Sequence, residues 1–232
     1  MWTLSTCRAY YHFCMSSALP ASGRKPTGKY HHGDLRRAMV DEAVRTITEE
    51  GIESLTLREA GARLGVSRTA LYRHFSDKAA LLAAVARDGF QKFRVELESA
   101  WEQGPATRCG FTRMGEAYIR FAVGHPSHYR VMFGDFRALC AREPELQEDA
   151  QAAFMTFINA LVAMQRARLV RAGDPRLIAE FIWATTHGTA MLAINGQFGP
   201  DPVGSGRLDQ VIAFVLERIW NGIDSGLDPE QP

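Results

Sequence analysis

The chain has 232 residues, 46% of them hydrophobic and 23% charged, with a formal net charge of +1, which is the make-up of an ordinary packed protein. No run approaches the ~18 consecutive apolar residues of a membrane span, and no membrane partner is expected. Four cysteines (Cys7, Cys14, Cys109 and Cys140) form no CxxC pair, which argues against a disulfide framework and for a reduced, cytoplasmic setting.

The charge is unevenly placed. Residues 24–80 carry 11 Lys/Arg against 8 Asp/Glu, whereas residues 81–232 carry 15 against 18. Residues 1–28 have one early basic residue and no apolar h-region, so they make a poor signal peptide and are expected as a disordered extension. Behind them Arg24, Lys25, Lys29, Arg36 and Arg37 face only Asp34. Such a basic arm suits a phosphate backbone, and a solubilising tail accounts for it equally well.

Apolar residues recur at three and four along almost the whole chain, and strand-like alternation is missing, so the expected fold is all-α. A first helix should start near Gly33-Asp34, with Asp34 as its cap, bury Val40, Ala43, Val44 and Ile47 and stop at Gly51. Thr56-Leu-Arg-Glu59 reads as a capping box opening a helix that ends at Leu64-Gly65. Ser67 can cap a short third helix, Arg68 to His74. Ser76 can cap a fourth, with Asp77 in its first turn, running to about Ala100. Further helices are expected near 107–123, 126–133, 145–171, 175–195 and 207–223, separated by Gly- and Pro-containing breaks.

Two short helices joined by a tight glycine turn form a DNA-reading unit. Gly65 permits the turn, and Leu57, Ala60, Leu64, Val66, Leu71 and Phe75 can pin the helices. Ser67, Arg68, Thr69 and Arg73 would then enter the major groove, with Arg68 reaching guanine or phosphate. Thr56 and Ser67 sit at helix N-termini, where N–H groups and hydroxyls hold phosphate. Tyr72, His74 and Lys78 can add contacts. Two packed helices in a plain bundle would show the same spacing.

Gly51-x4-Thr56-Leu-Arg, Leu64-Gly-Val-Ser67 and Leu71-Tyr-Arg-His-Phe75-x-x-Lys78 resemble the DNA-binding domain of the tetracycline-repressor (TetR) family over about residues 33–85. The resemblance implies a dimer on a palindromic operator, with contacts from Thr56, Ser67, Thr69, Tyr72, His74 and Lys78. Ala60-Gly61 departs from the family pattern, and a helical Gly costs ~0.5–1 kcal/mol relative to Ala.

The C-terminal region carries many Phe, Met, Tyr and Trp residues at helical spacing, as a plain core would, and such residues also line apolar ligand pockets. His125-Pro-x-x-Tyr129-Arg-Val-Met-Phe133 and Trp183-x-x-x-His187-Gly188 resemble the TetR-family C-terminal domain called WHG. That implies a ligand-binding and dimerisation bundle. Phe121, Tyr129, Phe133, Phe154, Trp183 and His187 are the pocket candidates. The last two helices are the pairing candidates, through Ala184, Gly188, Met191 and Phe214. The small residues Ala179, Ala184, Gly188, Thr189 and Ala193 suit close helix approach, between chains or within one core. His187 reads as a buried structural histidine, a polar ligand anchor or, with no second ligand at metal spacing, a poor metal site.

The expected organisation is an extension at 1–28, a three-helix helix-turn-helix domain at 29–85, a helical bundle at 86–226 and a disordered tail at 227–232. No G-x-S-x-G elbow, P-loop or H-E-x-x-H is present, so neither catalysis, a cofactor nor a metal is expected. The functional expectation is a repressor that a largely apolar effector releases from its operator. The alternative is a DNA-binding dimer without an effector.

Overall fold

A computed structural model describes residues 35–141 and 143–226. Lys29, the Asp34 cap, most of the basic arm and the two expected disordered ends lie outside the described residues. Among those described the regular elements are helices, and no strand forms beyond one isolated bridge, Val170 to Asp224.

α1 (Leu35–Glu50) buries Leu35, Met39, Val40, Ala43 and Ile47 along one side, the stripe its periodicity dictates. It stops because Gly51 turns to φ 89°, its N–H still donating to the Ile47 carbonyl at 3.1 Å. A 3₁₀ turn (Ile52–Ser54) leads to α2 (Leu57–Arg63) and α3 (Arg68–His74). α4 (Lys78–Glu102) is a single 25-residue helix, about 37 Å long at 1.5 Å per residue. The 85/86 boundary therefore falls inside one rod shared by head and body. Its cap is Asp77, whose carboxylate accepts from Ala80 N–H at 2.9 Å, not Ser76 as the sequence suggested. A carboxylate accepts this bond at least as well as a hydroxyl, and its position one residue later moves the helix start with it.

The body contains α5 (Arg108–Gly124), α6 (Pro126–Met132), α7 (Phe136–Cys140), α8 (Pro144–Arg166), α9 (Pro175–Ile194) and α10 (Arg207–Ile223). Four of these (α5, α6, α9 and α10) match the expected segments closely. α7 has five residues, too few for a periodic signal. α8 ends five residues before the expected 171, because Arg168 turns to φ 58° and Leu169 N–H reaches back to the Met164 carbonyl. That left-handed stop is normally a glycine's, so no sequence signal marks it. Residues 169–171 instead clasp the end of α10 through Arg171 N–H to the Ile223 carbonyl and Ser225 N–H to the Leu169 carbonyl.

α9 is long and apolar enough, by length and composition, to cross a bilayer. Its two sides differ. Ala179, Ile182, Thr186, Thr189, Ala190 and Ala193 are buried in the bundle, while Leu177, Phe181, Ala184 and Leu192 are exposed. The small-residue stripe is thus divided. Ala179, Thr189 and Ala193 pack within the chain's own core, and only Ala184 and Gly188 remain on the outward side, where a Cβ on Gly188 would meet nothing within 4 Å.

Candidate nucleic-acid interface

The turn between α2 and α3 is set by Gly65 at φ 68°, with Val66 N–H donating to the Gly61 carbonyl at 3.0 Å. The helices approach closely because position 61 lacks a side chain: a Cβ there would lie 2.3 Å from Leu71 Cδ1. Leu71 is buried and fills that space. The departure at Ala60-Gly61 is therefore matched by the partner residue, and the intrinsic cost of glycine is offset by packing.

Both short helices are capped as their sequences suggest. Thr56 Oγ1 accepts from Glu59 N–H at 3.2 Å and Ser67 Oγ from Ala70 N–H at 3.3 Å. Thr56 Oγ1 also donates to the Glu59 carboxylate at 2.7 Å, a bond between the two side chains.

α3 turns a polar face outward. Ser67, Arg68, Thr69, Tyr72, Arg73 and His74 are all exposed, with the Arg68 guanidinium 5.7 Å from the centre of the Tyr72 ring. Tyr72, at 47% exposure, is a large aromatic with no core duty.

Charge in the head separates into two kinds. Arg36, Arg37, Arg45 and Arg63 are each committed to carboxylates of this chain. This corrects the basic-arm expectation for its two described members, which have partners far along the chain: Arg36 pairs with Glu143 at 3.3 Å and Arg37 with Asp88 at 2.7 Å. Arg58, Arg68 and Arg73 are exposed and make no ion pair among the described residues. Arg58, in the first turn of α2 beside the Thr56 cap, was not singled out from sequence, although that position was the available signal. Lys78 is half-buried, its ammonium donating to the Ile52 and Glu53 carbonyls at 2.8 and 3.4 Å, so it clasps the 3₁₀ turn that leads into Thr56.

The body gathers a different set. Tyr129 is fully buried, and its hydroxyl donates to Tyr118 Oη at 3.0 Å and lies 2.8 Å from His187 Nδ1. His187 is thus half-buried and hydrogen-bonded to Tyr129. Burial pushes its pKa down and those of both tyrosines up, so all three stay neutral at physiological pH. Phe133 packs edge-on to His187 at 4.8 Å, and Trp183 contacts Phe133, Phe154 and His187. Of the six pocket candidates, Phe121 is buried against Phe93 and His125, and the other five form this one aromatic chain. A cavity in the body is lined by different residues, among them Phe111, Met114, Phe157, Met164, Ile182 and Leu216. Its free volume, about 10 Å³, is close to what a single water needs.

A glycine-turned helix pair with three uncommitted arginines on its face, carried on an all-helical body, defines a helix-turn-helix DNA-binding protein. Residues 39–85 match the model for bacterial regulatory proteins of the tetR family, and residues 111–218 match that for the tetracyclin repressor-like C-terminal domain. An uncharacterized HTH-type transcriptional regulator of Mycobacterium tuberculosis is 37% identical over 216 residues, covering 90% of this chain and 88% of the relative. A solved structure of a protein of unknown function from Rhodococcus sp. RHA1 superposes with a TM-score of 0.74 at 32% identity, over 84% of this chain and 98% of the other. The class C tetracycline repressor of Escherichia coli is 45% identical over 51 residues, which is 22% of this chain and 23% of that protein. The chain belongs to the TetR family of DNA-binding transcriptional regulators.

Proposed function

We propose that the protein is a repressor that binds a palindromic operator as a homodimer in the cytoplasm and leaves it when a small, largely apolar effector enters the body. The observation that carries the DNA half is the outward face of α3, where Ser67, Arg68, Thr69, Tyr72, Arg73 and His74 stand exposed together. Arg68 and Thr69 lie in its first turn, the part of a recognition helix that meets base edges. Thr56 and Ser67 place hydroxyls at helix starts for phosphate, and Lys78 acts by holding the turn before Thr56.

Pairing is supported by the outer side of α9 and α10. Phe181 is 49% and Phe214 58% exposed, with Leu177, Leu192 and Ala184 beside them on α9, and Phe181 lies near Gly222 of α10. An apolar surface of this kind on a water-soluble regulator calls for a cover, and a second copy supplies one with two-fold symmetry. The effector half is supported by the aromatic chain from Trp183, 40% exposed, inward to the buried Tyr129. The separate cavity beside Phe111 and Met164, about 10 Å³, is too small for an effector, so an effector that enters along the aromatic chain has to part packed side chains and thereby favours a second conformation.

Selection of bound duplexes from a random double-stranded pool tests this reading. The dimer should enrich a two-fold symmetric sequence with half-sites about one turn, ~34–36 Å, apart. Enrichment of an asymmetric sequence, or of none, contradicts it. Thermal melting against apolar compounds then separates an effector-responsive repressor from a DNA-binding dimer without one, because a ligand of the folded state raises the melting temperature.

A further inference from the structure

α6 has seven residues, yet three consecutive ones tie it to three other helices. Ser127 Oγ lies 2.7 Å from Thr48 Oγ1 on α1, His128 Nε2 2.9 Å from Asp88 Oδ2 on α4, and Tyr129 Oη 2.8 Å from His187 Nδ1 on α9. α6 and α4 are pressed together where α4 has Gly89: a Cβ there would lie 2.5 Å from Met132 Sδ and 3.3 Å from His128 Cβ.

Asp88 is where these ties meet the reading head. Its side chain is 14% exposed. Oδ1 accepts from Arg37 of α1 at 2.7 Å, and Oδ2 accepts from Lys92 at 2.6 Å and from His128 at 2.9 Å. Burial works against its charge, but the hydrogen bonds from His128 and Lys92 and the charges of Lys92 and Arg37 outweigh it, so the carboxyl is held ionised, well below its ordinary range. α1 in turn grips α2, since Arg63 donates to Thr46 at 3.1 Å and to Glu50 at 2.5 Å. Among the described residues, the other polar ties of α1 to the body are a pair of hydroxyls, Thr48 and Ser127, and the more exposed pair Arg36–Glu143.

We infer that Asp88 is a positioning residue for DNA reading: it fixes the tilt of α1, and with it the separation of the two recognition helices in the dimer, so that it determines which half-site spacing is accepted. The inference rests on the dimeric-operator reading above. The lever is sufficient. α1 is about 24 Å long at 1.5 Å per residue, so a tilt of about 8° carries its far end about 3.4 Å, the rise of one base pair. No residue of α3 is altered by such a tilt, so base preference within a half-site stays as it was.

The test compares wild type with Asp88→Asn and Arg37→Gln on the selected operator and on versions with one base pair inserted or removed at its centre. Asparagine keeps the shape of Asp88 but cannot accept from three cationic or imidazole donors. Wild type should prefer the correct spacing at least tenfold. Both variants should prefer it less than threefold while keeping wild-type preference at single-base changes inside a half-site. Unchanged spacing preference in both folded variants overturns the inference, as does an equal loss of base preference. A measurement without DNA judges it apart from the operator reading: spin labels at Arg73→Cys and Glu148→Cys, in a chain whose four cysteines are serine. Asp88→Asn or Arg37→Gln should broaden the distance distribution between α3 and α8. The same width as in wild type overturns the inference, even if no operator is found. Arg37→Gln alters a half-exposed side chain and keeps the test open if Asp88→Asn fails to fold.

Discussion

In the head, every described candidate side chain except the half-buried Lys78 is exposed, and the bonds that set α2 and α3 span a few residues: Thr56 to Glu59, Ser67 to Ala70, Gly65 within its own turn. In the body, Phe121 and Tyr129 are buried and Phe133, Phe154 and His187 half-buried, and the Tyr118–Tyr129–His187 group is assembled from α5, α6 and α9. The head works on what it meets outside and can be written in one stretch of chain. The body works by what it packs, so its chemistry exists only once distant helices have met.

That contrast can be broken from either side. The largest expected effect is at the hinge of the head. Leu71→Ala removes a buried side chain against Gly61 and should destabilise the protein by about 2–5 kcal/mol in chemical denaturation. A loss below 1 kcal/mol would mean that α2 and α3 are not held as described. Next, Tyr129→Phe leaves His187 and Tyr118 without their shared partner and should cost about 1–3 kcal/mol. A neutral result would show the trio to be incidental. Gly61→Ala is sharper in sign than in size. An exposed helical glycine gains ~0.5–1 kcal/mol on becoming alanine, whereas here overpacking against Leu71 should make the change unfavourable, by about 1–3 kcal/mol. Adding Leu71→Ala should remove that penalty, and a strictly additive double variant would contradict the close approach. Thr56→Ala should cost about 1 kcal/mol through the lost cap, readable as a lower melting temperature.

The smallest effect is a pH dependence. Burial lowers the His187 pKa in the folded state, so below the ordinary imidazole range the unfolded chain binds the extra proton more readily. Stability from this group is present above about pH 6.5 and lost as pH falls through the folded value. His187→Gln should flatten that part of the pH–stability curve, and an unchanged slope would remove burial as the cause.

The same contrast explains what could be read in advance. α1 to α4, the glycine turn and the Thr56 and Ser67 caps follow from local rules, and the one slip, Ser76 for Asp77, is between neighbours that can both cap. The exposed face of α3 followed from the same pattern. The fate of Arg36 and Arg37 did not, because their partners Glu143 and Asp88 lie 107 and 51 residues away. Nor did the stop at Arg168, which takes a glycine's backbone angle without being one, or the division of α9 into a face buried at Ala179, Thr189 and Ala193 and one open at Ala184 and Gly188. Trp183 and His187 announce themselves by type, but whether a histidine bonds a tyrosine or a ligand depends on which helix lies opposite.

The account depends above all on the first turn of α3 reading bases. The most direct measurement is the ratio of affinities for the selected operator and a scrambled duplex, in wild type and in the Arg68→Ala, Thr69→Ala double variant. A base-reading contact is worth about 1–3 kcal/mol, so the ratio should fall by roughly tenfold or more while the variant's melting temperature stays within a few degrees of wild type. A folded double variant with the wild-type ratio would contradict the account and move the reading head away from α3.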